Sequence, residues 1–206
     1  MSILYNMCDE EIQKHRKINR ENNNVRRKVI GFCGLPGSGK STAIEAINDL
    51  GKIITMGDVI RNEAKIRGID PTGENLGKIA NELRDKWGQE IIARKCVELI
   101  KTFKSEIIFV DGVRSIIELN VFRKFWKFPL IATVIDEEIR FKRLYERARS
   151  DDPKSIAELR ERDKREISFG LNSLVEKAEY KIKNTSSIEE LETKTRKIVL
   201  EIIQTY

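Results

Sequence analysis

The chain has 206 residues, 40% hydrophobic and 35% charged, with a formal net charge of +6. That length fits one domain able to bury a core, and no apolar run approaches the ~18 residues of a membrane helix. Three cysteines (Cys8, Cys33, Cys96) without metal-ligand spacing and the single histidine, His15, exclude a disulfide scaffold and a histidine-built metal centre.

Residues 1–28 hold seven Lys or Arg and four Asp or Glu, so +3 of the net charge lies in this leader. Residues 1–27 read as a polar, basic extension that frays, because "INRENNNVRRK" offers little to a core. Its start turns acidic at "CDEE" before a signal-peptide core can form, which points to a cytoplasmic protein with no membrane partner. The positive charge permits a nucleic-acid partner, but the leader lacks interleaved aromatics, so this reading is not favoured.

From residue 28 onward short apolar runs alternate with helical periodicity. Strands are expected at Lys28–Cys33, Lys52–Thr55, Glu106–Val110, Pro129–Ile135 and Glu179–Ile182. Helices are expected at 40–50, 58–67, two within 73–103, then 115–126, 137–149, 153–169 and 187–203. "EIIFVD" and "LIATVI" are nearly continuous apolar runs, as in strands covered on both faces. Alternating strands and helices imply an α/β fold with a five-stranded parallel sheet and helices on both faces. Residues 28–206 are read as one domain.

The first strand runs into "GLPGSGKST", comprising Gly34, Leu35, Pro36, Gly37, Ser38, Gly39, Lys40, Ser41 and Thr42. This matches G-x-x-x-x-G-K-[ST] in its required setting, between a strand and an amphipathic helix. Glycines let backbone amides converge on phosphate oxygens, and the helix dipole favours the anion. Lys40 is then the group for the β/γ-phosphates and Ser41 a magnesium ligand. A second ligand is expected from Asp111, which follows four apolar residues at the carboxyl end of a buried strand. ATP and Mg²⁺ are therefore the expected cofactors.

Three further segments bear on the second substrate. In "ITMGDVIR" Asp58 and Arg61 lie three apart at one end of a helix, able to meet an acceptor phosphate together. In "VDGVRS" Arg114 follows Asp111 by three. In "EEIRFKRLYERARSDDPKSIAELRERD" Arg140, Arg143 and Arg147 fall within ~60° on one helix face. Arg149, Arg160 and Arg162 flank the acidic turn, which suits a short arginine-rich lid.

"TMGDVIR", "VDGVR" and the Arg143/Arg147 pair stand in the order found in adenylate kinases. With "RSDDP", "ERDKREISFG" and "AEYKIKNTSSIEEL", residues 28–203 resemble an archaeal branch of P-loop kinases related to adenylate kinases and dephospho-CoA kinases. The resemblance implies a nucleoside monophosphate kinase-like fold, with a helical acceptor-binding insert near 57–90 and a lid near 149–163. It implies that Gly34–Thr42 hold the triphosphate and Asp111 serves magnesium. Asp58, Arg61 and Arg114 would face the acceptor phosphate, with Arg143 beside the nucleotide and Arg147, Arg149 and Arg160 closing over the transferring group. The implied activity is Mg²⁺-dependent transfer of the ATP γ-phosphoryl to a small, phosphate-bearing acceptor. A dephospho-CoA kinase-like enzyme and a slow regulatory or nucleic-acid-associated ATPase are the alternatives. The chain departs from the adenylate kinase pattern at Met56, where a threonine is usual, and in the shorter "DGVR".

Overall fold

The computed structural model describes residues 27–148, 152–185 and 187–205. Five strands form one parallel sheet: β1 (Lys28–Cys33), β2 (Lys52–Thr55), β3 (Ile107–Asp111), β4 (Leu130–Val134) and β5 (Tyr180–Lys183). Their spatial order is β2-β3-β1-β4-β5. Asp111 pairs in register with Phe32 on one side and Thr55 on the other, so three strands end level. Crossovers leave the central neighbours in opposite directions: β1 runs to β2 past β3, and β3 runs to β4 past β1. Ligands of open α/β sheets bind at the carboxyl ends of strands so arranged.

Alternation along β1 builds two cores. Val29 and Cys33 pack under α2 (Met56–Arg67), α3 (Gly73–Trp87), α4 (Ile91–Thr102), α5 (Ile116–Arg123) and α8 (Leu171–Glu176). Ile30 and Phe32 point the other way, against α1 (Lys40–Glu45) and α9 (Ile188–Thr205). After β4 come α6 (Glu137–Arg147) and α7 (Ile156–Ser168). The fold is a parallel five-stranded sheet wound on both faces.

The periodicity placed the long elements well and their ends less so. The helix expected over 40–50 is α-helical to Glu45, then tightens into i→i+3 bonds such as Ile47 to Ile44 (3.2 Å). α7 starts at 156 rather than 153 because the Ser155 hydroxyl accepts the Glu158 N–H and sets the boundary. The six-residue α8 was not foreseen; one and a half turns show too little period to stand out. Most of the expected leader (1–26) lies outside the described residues. Among those described, no helix is long and apolar enough to cross a membrane.

Candidate functional site

The loop after β1 is moulded against the ends of β4 and β5. Gly34 and Gly39 adopt φ of +140° and +98°, a region that favours glycine. A Cβ on Gly34 would lie 2.4 Å from the Thr133 carbonyl oxygen, and one on Gly39 2.1 Å from Asn184 Nδ2. The same two neighbours hold the loop. Ser38 Oγ and Thr133 Oγ1 share a hydrogen bond of 2.7 Å, and Asn184 Nδ2 donates to the Ser38 carbonyl at 2.9 Å. Gly39 stands at the start of α1 with no side-chain cap, leaving that helix end to a ligand.

Lys40 Nζ curls over the loop and donates to the carbonyls of Gly34 (2.6 Å) and Leu35 (3.2 Å). Burial lowers its affinity for its proton, and the carboxylates of Asp111 and Glu166 oppose that effect. Burial likewise raises the Asp111 carboxyl above the usual carboxylate range, against the pull of Lys40 and Arg114. Asp111 Oδ1 is buried and has no hydrogen-bond partner. A buried anionic oxygen without a donor is costly, and a divalent cation would satisfy it. The donor set, this oxygen with the Ser41 hydroxyl at the loop exit, suits the hard cation Mg²⁺.

On the other side of Asp111, the backbone N–H groups of Gly112 and Val113 both bond the Phe32 carbonyl, at 3.1 and 3.2 Å. This clamps the start of the "DGVR" loop to β1. Glu118 then fixes its end. The capping hydroxyl of Ser115 takes the Glu118 N–H (3.1 Å), which turns the Glu118 carboxylate back to accept the Arg114 N–H at 2.8 Å. Its other oxygen meets Arg84 Nη2 at 3.3 Å, a pair only 5% and 2% exposed. The Arg84 guanidinium also covers the Phe169 ring, 4.6 Å from its centroid. Arg114 Nε lies 3.3 Å from Glu166 Oε2 on α7. Asp58 and Arg61 pair at 2.7 Å on the exposed start of α2, and their charges act on Asp111.

The expected arginine lid divides. Arg140 is buried, and its guanidinium grips Asp163 of α7 with two bonds of 3.0 and 2.5 Å while donating to the Pro36 carbonyl at 3.2 Å. It therefore braces the phosphate loop from behind instead of sharing a solvent face with Arg143 and Arg147. Arg147 is held by Asp152 through bonds of 2.9 and 2.5 Å, and Arg160 by Glu137 at 2.9 Å. Arg143 is half-buried on α6 and has no ion-pair partner among the described residues. Arg149 lies outside the described residues. A surface concavity of about 580 Å³ lined by Arg123–Pro129 and Glu179 opens at the opposite, amino-terminal end of β4.

The sequence reading missed Thr133, Asn184, Arg140 with Asp163, Glu118 and Glu166. Only Glu118 carried a readable signal, the Ser115-x-x-Glu118 capping box; the others meet the loop through pairings between distant segments.

Residues 33–160 match a family model described as an AAA domain. A UPF0200 protein of Methanosarcina mazei is 41% identical over 182 residues, covering 87% of this chain and 95% of that protein. The chain belongs to the UPF0200 family. The UPF0200/UPF0201 protein of Archaeoglobus fulgidus is 46% identical over 183 residues, 86% of this chain but 57% of that longer protein. Among solved structures, TT1252 from Thermus thermophilus superposes with a TM-score of 0.56 at 20% identity, covering 85% of this chain and 98% of that one. Shikimate kinase from Bacteroides thetaiotaomicron gives 0.56 at 14%, covering 84% and 98%. At such identities the likeness shows the fold alone, that of P-loop kinases.

Proposed function

We propose that the protein is a Mg²⁺-dependent phosphotransferase that moves the γ-phosphoryl of ATP to a small acceptor carrying a phosphate group. The observation that carries the reading is the juxtaposition at the sheet's carboxyl edge of the braced loop, Lys40 and the unpartnered oxygen of Asp111. Gly34–Thr42 cradle the triphosphate, Lys40 neutralises its β/γ end, and Ser41 with Asp111 hold the magnesium. Bound there, the cation would offset charge on the phosphoryl oxygens. Asp58, Arg61 and Arg114 face the acceptor's phosphate. Arg143, Arg147, Arg149 and Arg160 serve the donor side; Arg160 is mostly exposed, and exposed ion pairs such as Arg160–Glu137 exchange partners at little cost. Positioning and charge neutralisation suffice for this chemistry.

A ³¹P NMR screen with Mg²⁺–ATP against nucleoside monophosphates, dephospho-CoA and sugar phosphates tests it, with Lys40→Ala as the blank. The expected result is transfer to one acceptor class and a fall of about 100-fold or more in the Lys40 variant. Hydrolysis that ignores every small acceptor but rises with RNA would instead support a nucleic-acid-associated ATPase.

A further inference from the structure

Glu166 belongs to none of the roles above, yet it stands where they meet. Its side chain is only 14% exposed, with Oε2 3.3 Å from Arg114 Nε. One turn earlier on α7, Asp163 is locked to Arg140, which in turn holds the Pro36 carbonyl. Residues three apart share a helix face, so α7 turns Asp163 to the phosphate loop and Glu166 to the acceptor loop. That second loop is itself rigid, tied to β1 through Gly112 and Val113 and to Glu118 through the Arg114 N–H. The Glu166 charge also acts on Lys40, second only to Asp111 among the carboxylates that favour its proton. Glu166 thus pairs with Arg114 from the β3–α5 loop, and its charge acts on Lys40 of α1; Asp163 on its own helix is paired with Arg140.

A carboxylate between donor and acceptor discriminates between two kinds of nucleophile. A phosphate oxygen arrives already anionic, and a neighbouring carboxylate repels it. A hydroxyl must lose a proton as its oxygen bonds to phosphorus, and it needs a base within hydrogen-bond reach. Asp111 would be taken up by the cation, and the Asp58 side chain stands 62% exposed at the start of α2, whereas that of Glu166 is 14% exposed.

We propose that Glu166 is the catalytic base for a hydroxyl acceptor, so that the phosphoryl group passes to an alcohol of a phosphate-bearing molecule rather than to its phosphate. This rests on the phosphotransferase reading above and narrows it. In the step, the acceptor O–H proton passes to a Glu166 carboxylate oxygen while the acceptor oxygen bonds to the γ-phosphorus. The bond from that phosphorus to the β,γ-bridging oxygen breaks, its electron pair leaving with ADP. The product is a phosphate monoester, and Glu166 then returns its proton to solvent. Arg114 bridges the two partners, with Nε on Glu166 and its remaining nitrogens available to the acceptor's phosphate.

The test uses the full chain with Mg²⁺–ATP and probes that separate the two oxygens. AMP offers both a phosphate and ribose hydroxyls, the other nucleoside monophosphates and sugar phosphates do likewise, and dephospho-CoA offers hydroxyls and a thiol but no terminal phosphate. The product is read by ³¹P NMR as a monoester or a P–O–P linkage. The expected product is a monoester. Glu166→Gln should lower kcat by about 10²–10⁴-fold, with acceptor KM moved less than about threefold. Glu166→Asp should retain more activity than Glu166→Gln. An unchanged thermal shift with Mg²⁺–ATP shows that the variant is folded and loaded. A P–O–P product, a Glu166→Gln kcat within threefold of wild type, or a change in KM alone overturns the assignment while leaving the phosphotransferase intact. No transfer to any probe by the wild-type protein overturns both.

Discussion

Removing Asp163 should be severely damaging although it lies outside the apolar core. The Arg140 side chain is 3% exposed and that of Asp163 10%, and two hydrogen bonds join them. In Asp163→Ala the buried guanidinium keeps only the Pro36 carbonyl at 3.2 Å, since its Nε has no hydrogen-bond partner even in the intact protein. Breaking a buried pair from one side costs about 3–5 kcal/mol. At roughly 2–4 °C per kcal/mol for a chain of this size, the melting temperature should fall by about 6–20 °C. The apolar double variant Arg140→Met/Asp163→Leu should recover most of that loss, because the penalty lies in the stranded charge rather than in the missing bonds. It would still lack the tie between Pro36 and α7, so it should be stable yet bind Mg²⁺–ATP more weakly. Urea denaturation of the wild type, both single variants and the double variant measures the cycle. A loss below about 1 kcal/mol for Asp163→Ala would refute the account of α7 as the loop's brace.

Gly39→Ala must place a methyl group 2.1 Å from Asn184 Nδ2 at a φ of +98°, so it should both destabilise the fold and abolish the thermal shift with Mg²⁺–ATP. Arg61→Ala removes an exposed pair and should leave stability within about 0.5 kcal/mol, while raising the acceptor's KM in steady-state assays. An unchanged KM would take Arg61 out of the site. Burial pushes the thiols of Cys33 and Cys96 up to about 12. Only the thiolate reacts, so at pH 8 each carries on the order of one part in 10⁴ in reactive form. Disulfide-reagent labelling of both should be very slow in native protein and should quicken about tenfold per pH unit below 12. Fast labelling at pH 8 would mean that β1 and α4 open readily.

Signals carried by consecutive residues were legible. β3 and β4 declare themselves as unbroken apolar runs, and the glycines of the loop with Lys40 and Ser41 match a phosphate-loop pattern through spacing alone. Asp111 follows from its position at the end of such a run. The supports of the site were not legible, because they are meetings of distant segments: Thr133 and Asn184 under Ser38, Asp163 on Arg140, Glu166 on Arg114. The arginine-rich stretch shows the limit most clearly. Helical geometry put Arg140, Arg143 and Arg147 on one face, but burial separated them, sending Arg140 under the loop and leaving Arg147 to Asp152. Net charge and periodicity are blind to that division.

The central claim is that the braced loop, Lys40 and Asp111 together bind Mg²⁺–ATP, and thermal unfolding with and without that ligand tests it most directly. At about 100 times its dissociation constant the ligand should add about 2.7 kcal/mol, a rise of roughly 5–10 °C for this chain, which Lys40→Ala and Asp111→Asn should each largely remove. No rise at millimolar Mg²⁺–ATP, or an equal rise in both variants, would contradict the account.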